Sequence, residues 1–149
     1  MSAERILIDT NVLVYATDTA SPHCPASSAL LGAVAAGSFL ACVAPQVLLE
    51  FVSVVTSPKR VASARTADEA WLVADSFAQS FDVLAPPSDL YQRASVLGRS
   101  LGLKMQDVFD LAIAVTALGS GVGIIYSYDP AVFSRVPGIT VRVPTLPTP

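Results

Sequence analysis

Two rhythms alternate along the chain. Short apolar, β-branched-rich runs at 6–8, 38–43, 81–84, 124–127 and 139–143 each stop at a polar or turn residue, which is how strands buried inside a sheet read. Between them lie longer segments, 11–17, 25–37, 46–56, 67–79, 88–102 and 108–118, whose apolar residues recur at helical spacing. Their ends carry local signals. Pro25 suits the first position of a helix, Thr66 with Glu69 forms a capping box, Ser88 stands where a cap is needed, and Gly102 closes the same helix. Strand and helix alternate throughout, with no internal repeat and no linker. This pattern predicts a single doubly wound α/β domain over 1–143, a parallel sheet of about five strands flanked by helices. Residues 144–149 are too rich in proline for regular structure.

Composition raises one competing reading. Of the 149 residues, 52% are hydrophobic and 14% charged, and two long uncharged runs, 19–49 and 111–128, invite the idea of membrane spans. Gly32, Gly37 and Pro45 break the first run, and Gly119 and Gly121 the second, at intervals that suit helix-turn-strand units. Neither run has flanking Lys or Arg anchors, so buried α/β units are the better account. The first residues show no basic region followed by an apolar segment, and a cytoplasmic protein is expected.

Cys24 and Cys42 form no CxxC pair and are read as buried free thiols; neither a disulfide framework nor a zinc site can be built from them and the single histidine, His23. His23, beside Pro22, reads as a loop residue. A net charge of −3 argues against a broad electrostatic grip on nucleic acid. A local contact is not excluded. Lys59, Arg60 and Arg65 form the one clustered basic stretch, and two readings stay open for it: a solvated connection between helices, or a loop that touches phosphate.

The remaining chemistry is carboxylate chemistry. Asp9 ends the first strand, Glu50 is the only charge in an apolar helix, Asp107 and Asp110 open another helix, and Asp129 follows the fourth strand. In an open parallel sheet, strand ends and the helix starts after them share one edge, so these acids can converge. Gathered carboxylates repel one another unless a cation neutralises them, and an all-oxygen set suits Mg²⁺ or Mn²⁺. Such a site serves phosphoryl chemistry.

The motifs Ile8-Asp9-Thr10-Asn11-Val12-Leu13, Pro45-Gln46-Val47-Leu48-Leu49-Glu50-Phe51, Phe109-Asp110-Leu111-Ala112-Ile113-Ala114 and Ser127-Tyr128-Asp129-Pro130-Ala131-Val132-Phe133 resemble, in order, those of PIN-domain proteins. The similarity is strongest to VapC-type toxins of bacterial toxin-antitoxin systems. By that resemblance Asp9, Glu50, Asp110 and Asp129 are the metal-binding, catalytic acids. Thr10 or Asn11, with Ser127, are polar supports that fix a carboxylate or a water on the metal. The resemblance also implies a Mg²⁺-dependent endoribonuclease acting on single-stranded or loop regions of RNA such as tRNA or rRNA, a cognate antitoxin protein as partner, and a homodimer. Asp107 is an extra acid that the motif does not require; it can cap the helix or join the site. Three other functions compete: a phosphoreceiver domain, which lacks here the Lys expected after a late strand; a PIN nuclease of RNA maturation; and a non-catalytic PIN-fold binding module.

Overall fold

The computed structural model describes residues 2–149. Its centre is β1 (Glu4–Ile8), in which Ile6, Leu7 and Ile8 are completely buried. β1 pairs in parallel with β2 (Phe39–Val43) on one side and β4 (Ile124–Tyr126) on the other, so that Leu7 lies opposite both Cys42 and Ile125. β3 (Asp82–Val83) extends the sheet beyond β2, and β5 (Thr140–Arg142) beyond β4. The order is therefore 3-2-1-4-5, with every pairing parallel. The chain builds outward from β1 through β2 and β3, then returns to the other flank of β1. That reversal creates a switch point between β1 and β4, where the crevice of a doubly wound sheet opens.

Six helices fill the connections. α1 (Thr10–Ala16) packs on α2 (Cys24–Ala35) and α3 (Pro45–Val55), and α3 packs on α4 (Ala67–Ser80); separately, α5 (Leu90–Leu101) packs on α6 (Asp107–Gly119). The two sets match the two directions in which the sheet is wound. Their buried faces and the sheet form one core, with Val12, Leu13, Val47, Phe51, Leu111 and Ile113 among its largest enclosed side chains. No regular element follows Arg142, and among the described residues no helix is long and apolar enough to cross a membrane.

Element types follow the sequence pattern, and the differences lie at the ends. The Thr66/Glu69 capping box is present, and Gly102 closes α5 at φ 65°, a left-handed conformation that glycine adopts without strain. Ser88, by contrast, caps nothing. Asp89 occupies the cap position of α5 without a capping bond, because its carboxylate is turned to Arg93 at 2.9 Å. Asp107 is not a cap either. It is the first residue of α6, and Gln106 precedes it without a side-chain capping bond. The strand expected at 81–84 shrinks to two residues because the Phe81 N–H is taken by the Phe77 carbonyl at the end of α4. Of the two thiols only Cys42 is buried. Its Sγ donates to the Ile6 carbonyl at 3.1 Å, and burial pushes its pKa up to about 11. Cys24 opens α2 at a half-buried position near the Ala16 carbonyl, and the two cysteines remain unpaired.

Candidate metal centre

A cavity of about 500 Å³ opens at the switch point, and its acids come from four parts of the chain. The end of β1 and the start of α1 supply Asp9, Thr10, Asn11, Val14 and Tyr15; α3 supplies Glu50; the start of α6 supplies Asp107 and Asp110; and the loop after β4 supplies Asp129. All five acids singled out in the sequence therefore line one space.

Asp9 is the most enclosed of them. It follows a buried strand and is itself buried, with Oδ1 accepting the Thr10 backbone N–H at 2.8 Å, which caps α1, and Oδ2 accepting the Ser127 hydroxyl at 2.7 Å. Ser127 is the hub of this wall. Its oxygen also accepts from Asn11 Nδ2 at 3.3 Å and from the Asp129 N–H at 3.0 Å, while Asn11 Oδ1 accepts the Tyr128 N–H at 3.1 Å. One hydroxyl thus ties the loop after β4 to the start of α1 across the β1–β4 seam. Glu50 is held from two sides: Oε2 accepts the Thr10 hydroxyl at 3.0 Å and Oε1 accepts from Gln46 Nε2 at 2.9 Å. Gln46 also donates to the Phe109 carbonyl at 3.4 Å, which links α3 to the first turn of α6.

Gln46 escaped the sequence reading, although its place one turn before Glu50 is a pattern that favours side-chain contact. Also unforeseen was an aromatic cluster at the rim. Tyr15, His23 and Tyr128 pack ring to ring at centroid distances of 4.5–5.1 Å, and Tyr128 Oη bonds Ser27 Oγ at 2.8 Å. Here His23 stands at the start of α2 as an aromatic neighbour of the cavity.

Asp110 differs from the other enclosed acids. It is half-buried, and among the described residues no group donates a hydrogen bond to its carboxylate. Burial, then repulsion from Asp9, Asp129, Glu50 and Asp107, pushes its pKa up to about 7. Asp9 is pushed up to about 6, mainly by burial; the Ser127 and Thr10 bonds pull it back, and Glu50 and Asp129 add to the rise. Both shifts signal a site with more negative charge than it can comfortably hold. Among the described residues the only cation on the cavity wall is Arg60. An all-oxygen donor set short of positive charge fits a hard divalent cation such as Mg²⁺ or Mn²⁺. The acids line the walls without closing into a cage: among the described residues no three His, Cys, Asp or Glu side chains stand ready-grouped around a metal position.

The PIN domain family model matches residues 6–139, a span that includes every one of these side chains. The chain belongs to the PIN-domain family. Among solved structures, VapBC2 from Rickettsia felis, bound to a DNA fragment from its promoter, superposes with a TM-score of 0.68 at 18% identity over 93% of this chain and 98% of that one. VapC20 from Mycobacterium tuberculosis, a toxin that cleaves the sarcin-ricin loop, gives 0.66 at 15% identity over 87% and 93%. VapBC-1 from nontypeable Haemophilus influenzae gives 0.65 at 13% identity over 93% and 97%. Likeness at these identities concerns the fold. No curated protein matches the chain in sequence. The PIN assignment also disposes of the phosphoreceiver reading, whose flavodoxin-like sheet runs 2-1-3-4-5 where this one runs 3-2-1-4-5.

Proposed function

We propose that this PIN domain is a metal-dependent endoribonuclease that cuts single-stranded or loop regions of RNA and serves as the toxin of a toxin-antitoxin pair. One observation carries the reading: acids from four separate parts of the chain line a single cavity at the switch point. The structural likeness to VapC20, a sarcin-ricin-loop-cleaving toxin, supports RNA as the substrate class, and the likeness to VapBC assemblies supports an antitoxin protein as partner. A homodimer in the cytoplasm completes the proposal on the strength of the motif resemblance.

Asp9, Glu50, Asp110 and Asp129 would hold the cation. Bound there, Mg²⁺ or Mn²⁺ supplies the charge that neutralises the carboxylates, polarises a phosphodiester and lets water attack near neutral pH. The chain's own contribution is preorganisation. The Thr10 N–H and the Ser127 hydroxyl fix both oxygens of Asp9, and the Thr10 hydroxyl and Gln46 fix both oxygens of Glu50, so these acids need not rearrange during the reaction. Among the described residues Asp110 keeps both oxygens free of protein donors. Burial and the neighbouring acids push its pKa up to about 7, and bound positive charge would favour its ionised form. The test is direct: purified protein should cleave structured RNA with exposed loops in Mg²⁺ or Mn²⁺ and lose that activity in excess chelator. Full activity in chelator would overturn the metal mechanism.

A further inference from the structure

The basic stretch at 59–65 does not act as one patch. Arg65 is spent on structure: its Nη2 donates to the Thr17 carbonyl at 3.1 Å, it lines a separate cavity of about 300 Å³ near the end of α1, and its backbone N–H bonds the Val55 carbonyl at 2.8 Å. Lys59 lines neither space. Arg60 lines the acid cavity, beside Ser53 and Val54 of α3. Its position is set by the backbone, because the Arg60 and Val61 N–H groups both bond the Ser57 carbonyl and form a turn directly after α3. Among the described residues its guanidinium makes no ion pair and no side-chain hydrogen bond.

An RNA strand entering this cavity meets five carboxylates, in a protein of net charge −3. A cation held by the acids neutralises them around the bond to be cut, and the neighbouring phosphates still face negative walls. Among the described residues Arg60 is the one positive group lining that cavity, and a guanidinium fork matches two phosphate oxygens at once. Because its donors are uncommitted, RNA does not have to break an existing pair to reach them.

We propose that Arg60 anchors an RNA phosphate next to the scissile one, and so sets how the strand lies across the acids. The proposal rests on the reading of the cavity as an RNA-cleaving site. Arg60 is then a binding and positioning residue; the bond-breaking chemistry belongs to the acids.

The probe is a fluorescein-labelled single-stranded RNA oligonucleotide, bound in Mg²⁺ by protein carrying Asp110→Asn to suppress cutting, with anisotropy read over a range of NaCl. Adding Arg60→Ala should weaken binding about tenfold and lower the slope of log affinity against log salt by about 1, as expected for one phosphate contact. Arg60→Lys should recover part of the loss. Lys59→Ala, which removes the same charge one residue away, should change little. In the cleaving protein Arg60→Ala should raise KM and keep kcat within about twofold. Equal effects of Lys59→Ala and Arg60→Ala, unchanged affinity and KM, a fall in kcat alone, or faster cleavage by Arg60→Ala would each overturn the proposal. The two readings fail separately. If the parent cleaves RNA and Arg60→Ala matches it, only the anchor is lost; if the parent neither cleaves nor binds RNA, the nuclease reading falls and takes the anchor with it.

Discussion

The two walls of the acid cavity are built on opposite principles. On the β1–β4 side the buried polar groups are answered: Asp9 accepts two hydrogen bonds, Ser127 joins three partners, and both ends of the Asn11 amide are bonded. On the α6 side, among the described residues, neither acid receives a hydrogen bond. Asp110 has no donor, Asp107 is exposed, Gln106 makes no capping bond, and Met105 before it sits at φ 56°, a left-handed conformation that costs a non-glycine residue about 1 kcal/mol. The first wall is finished when the chain folds. The second holds charge that folding leaves uncompensated, which is what a site must do if part of its binding energy comes from a ligand.

Asparagine substitutions separate the walls most sharply. Asp110→Asn should reduce RNA cleavage by orders of magnitude and, in metal-free buffer at pH 8, leave the protein no less stable than the parent, because the lost charge was crowded and unbonded. Asp9→Asn should also abolish cleavage, but it should cost stability. Both Asp9 oxygens accept hydrogen bonds, so an amide NH₂ at position 9 must face either the Thr10 N–H or a Ser127 oxygen that already accepts from Asn11 and Asp129. Thermal melting in chelator checks the contrast. Equal destabilisation by both variants would mean that Asp110 has a structural partner after all.

Ser127→Ala tests the finished wall from its hub. It removes one donor from a buried carboxylate and one acceptor from both Asn11 and Asp129, a loss of about 1–3 kcal/mol by the usual cost of unanswered buried groups. It should also raise the Asp9 pKa further, since the Ser127 bond is the strongest influence holding it down. A carboxyl that stays protonated to higher pH shifts the acid limb of the cleavage profile upward. A profile left in place would show that Asp9 ionisation does not limit activity.

The charged wall should appear in the pH dependence of stability. Asp9 and Asp110 titrate at about 6 and about 7 in the folded chain, against 3.8 when unperturbed, so the native protein binds protons that the unfolded chain has released. Their contribution to stability therefore falls as pH rises from about 4 to about 7, then levels off. Asp110→Asn should flatten the upper part of that decline, and Mg²⁺ at pH 7.5 should raise Tm by binding only the folded form. Parallel pH curves for parent and variant in chelator would contradict the assigned charge crowding.

The same contrast explains what could be read from the chain alone. Core strands and amphipathic helices are legible because burial imposes a period, and the acids stand out because each interrupts an apolar context. Topology then does the gathering, and the β1–β4 adjacency that brings Asp129 beside Asp9 follows from strand order, which local pattern does not encode. Hydrogen bonds between distant residues, such as Ser127 to Asp9 across 118 positions, leave no spacing signal. Helix starts are less legible: Ser88, which the pattern offers as a cap, lies one place before Asp89, whose carboxylate pairs with Arg93, and Asp107, for which a cap is one of two readings, falls one place inside its helix.

That last position supplies the smallest effect and the finest distinction. As a cap, Asp107 would cost about 1 kcal/mol on replacement by alanine. As the first residue of α6 it satisfies no backbone donor, and only the favourable field of the helix start remains, about 0.3–1 kcal/mol at an exposed site. Against that gain stands its repulsion of Asp110, the weakest of the influences that raise the Asp110 pKa. The two oppose each other, so Asp107→Ala should move Tm very little. Its effect on the metal is the sharper measure. A carboxylate that only adds to the field of the cavity should change the Mg²⁺ concentration for half-maximal cleavage by less than about threefold, the scale of an exposed charge. A ligand, or a residue that orients one, should change it by about 10–100-fold. The larger shift, with Tm unmoved, would place Asp107 among the acids of the unfinished wall and extend the proposed binding set beyond Asp9, Glu50, Asp110 and Asp129.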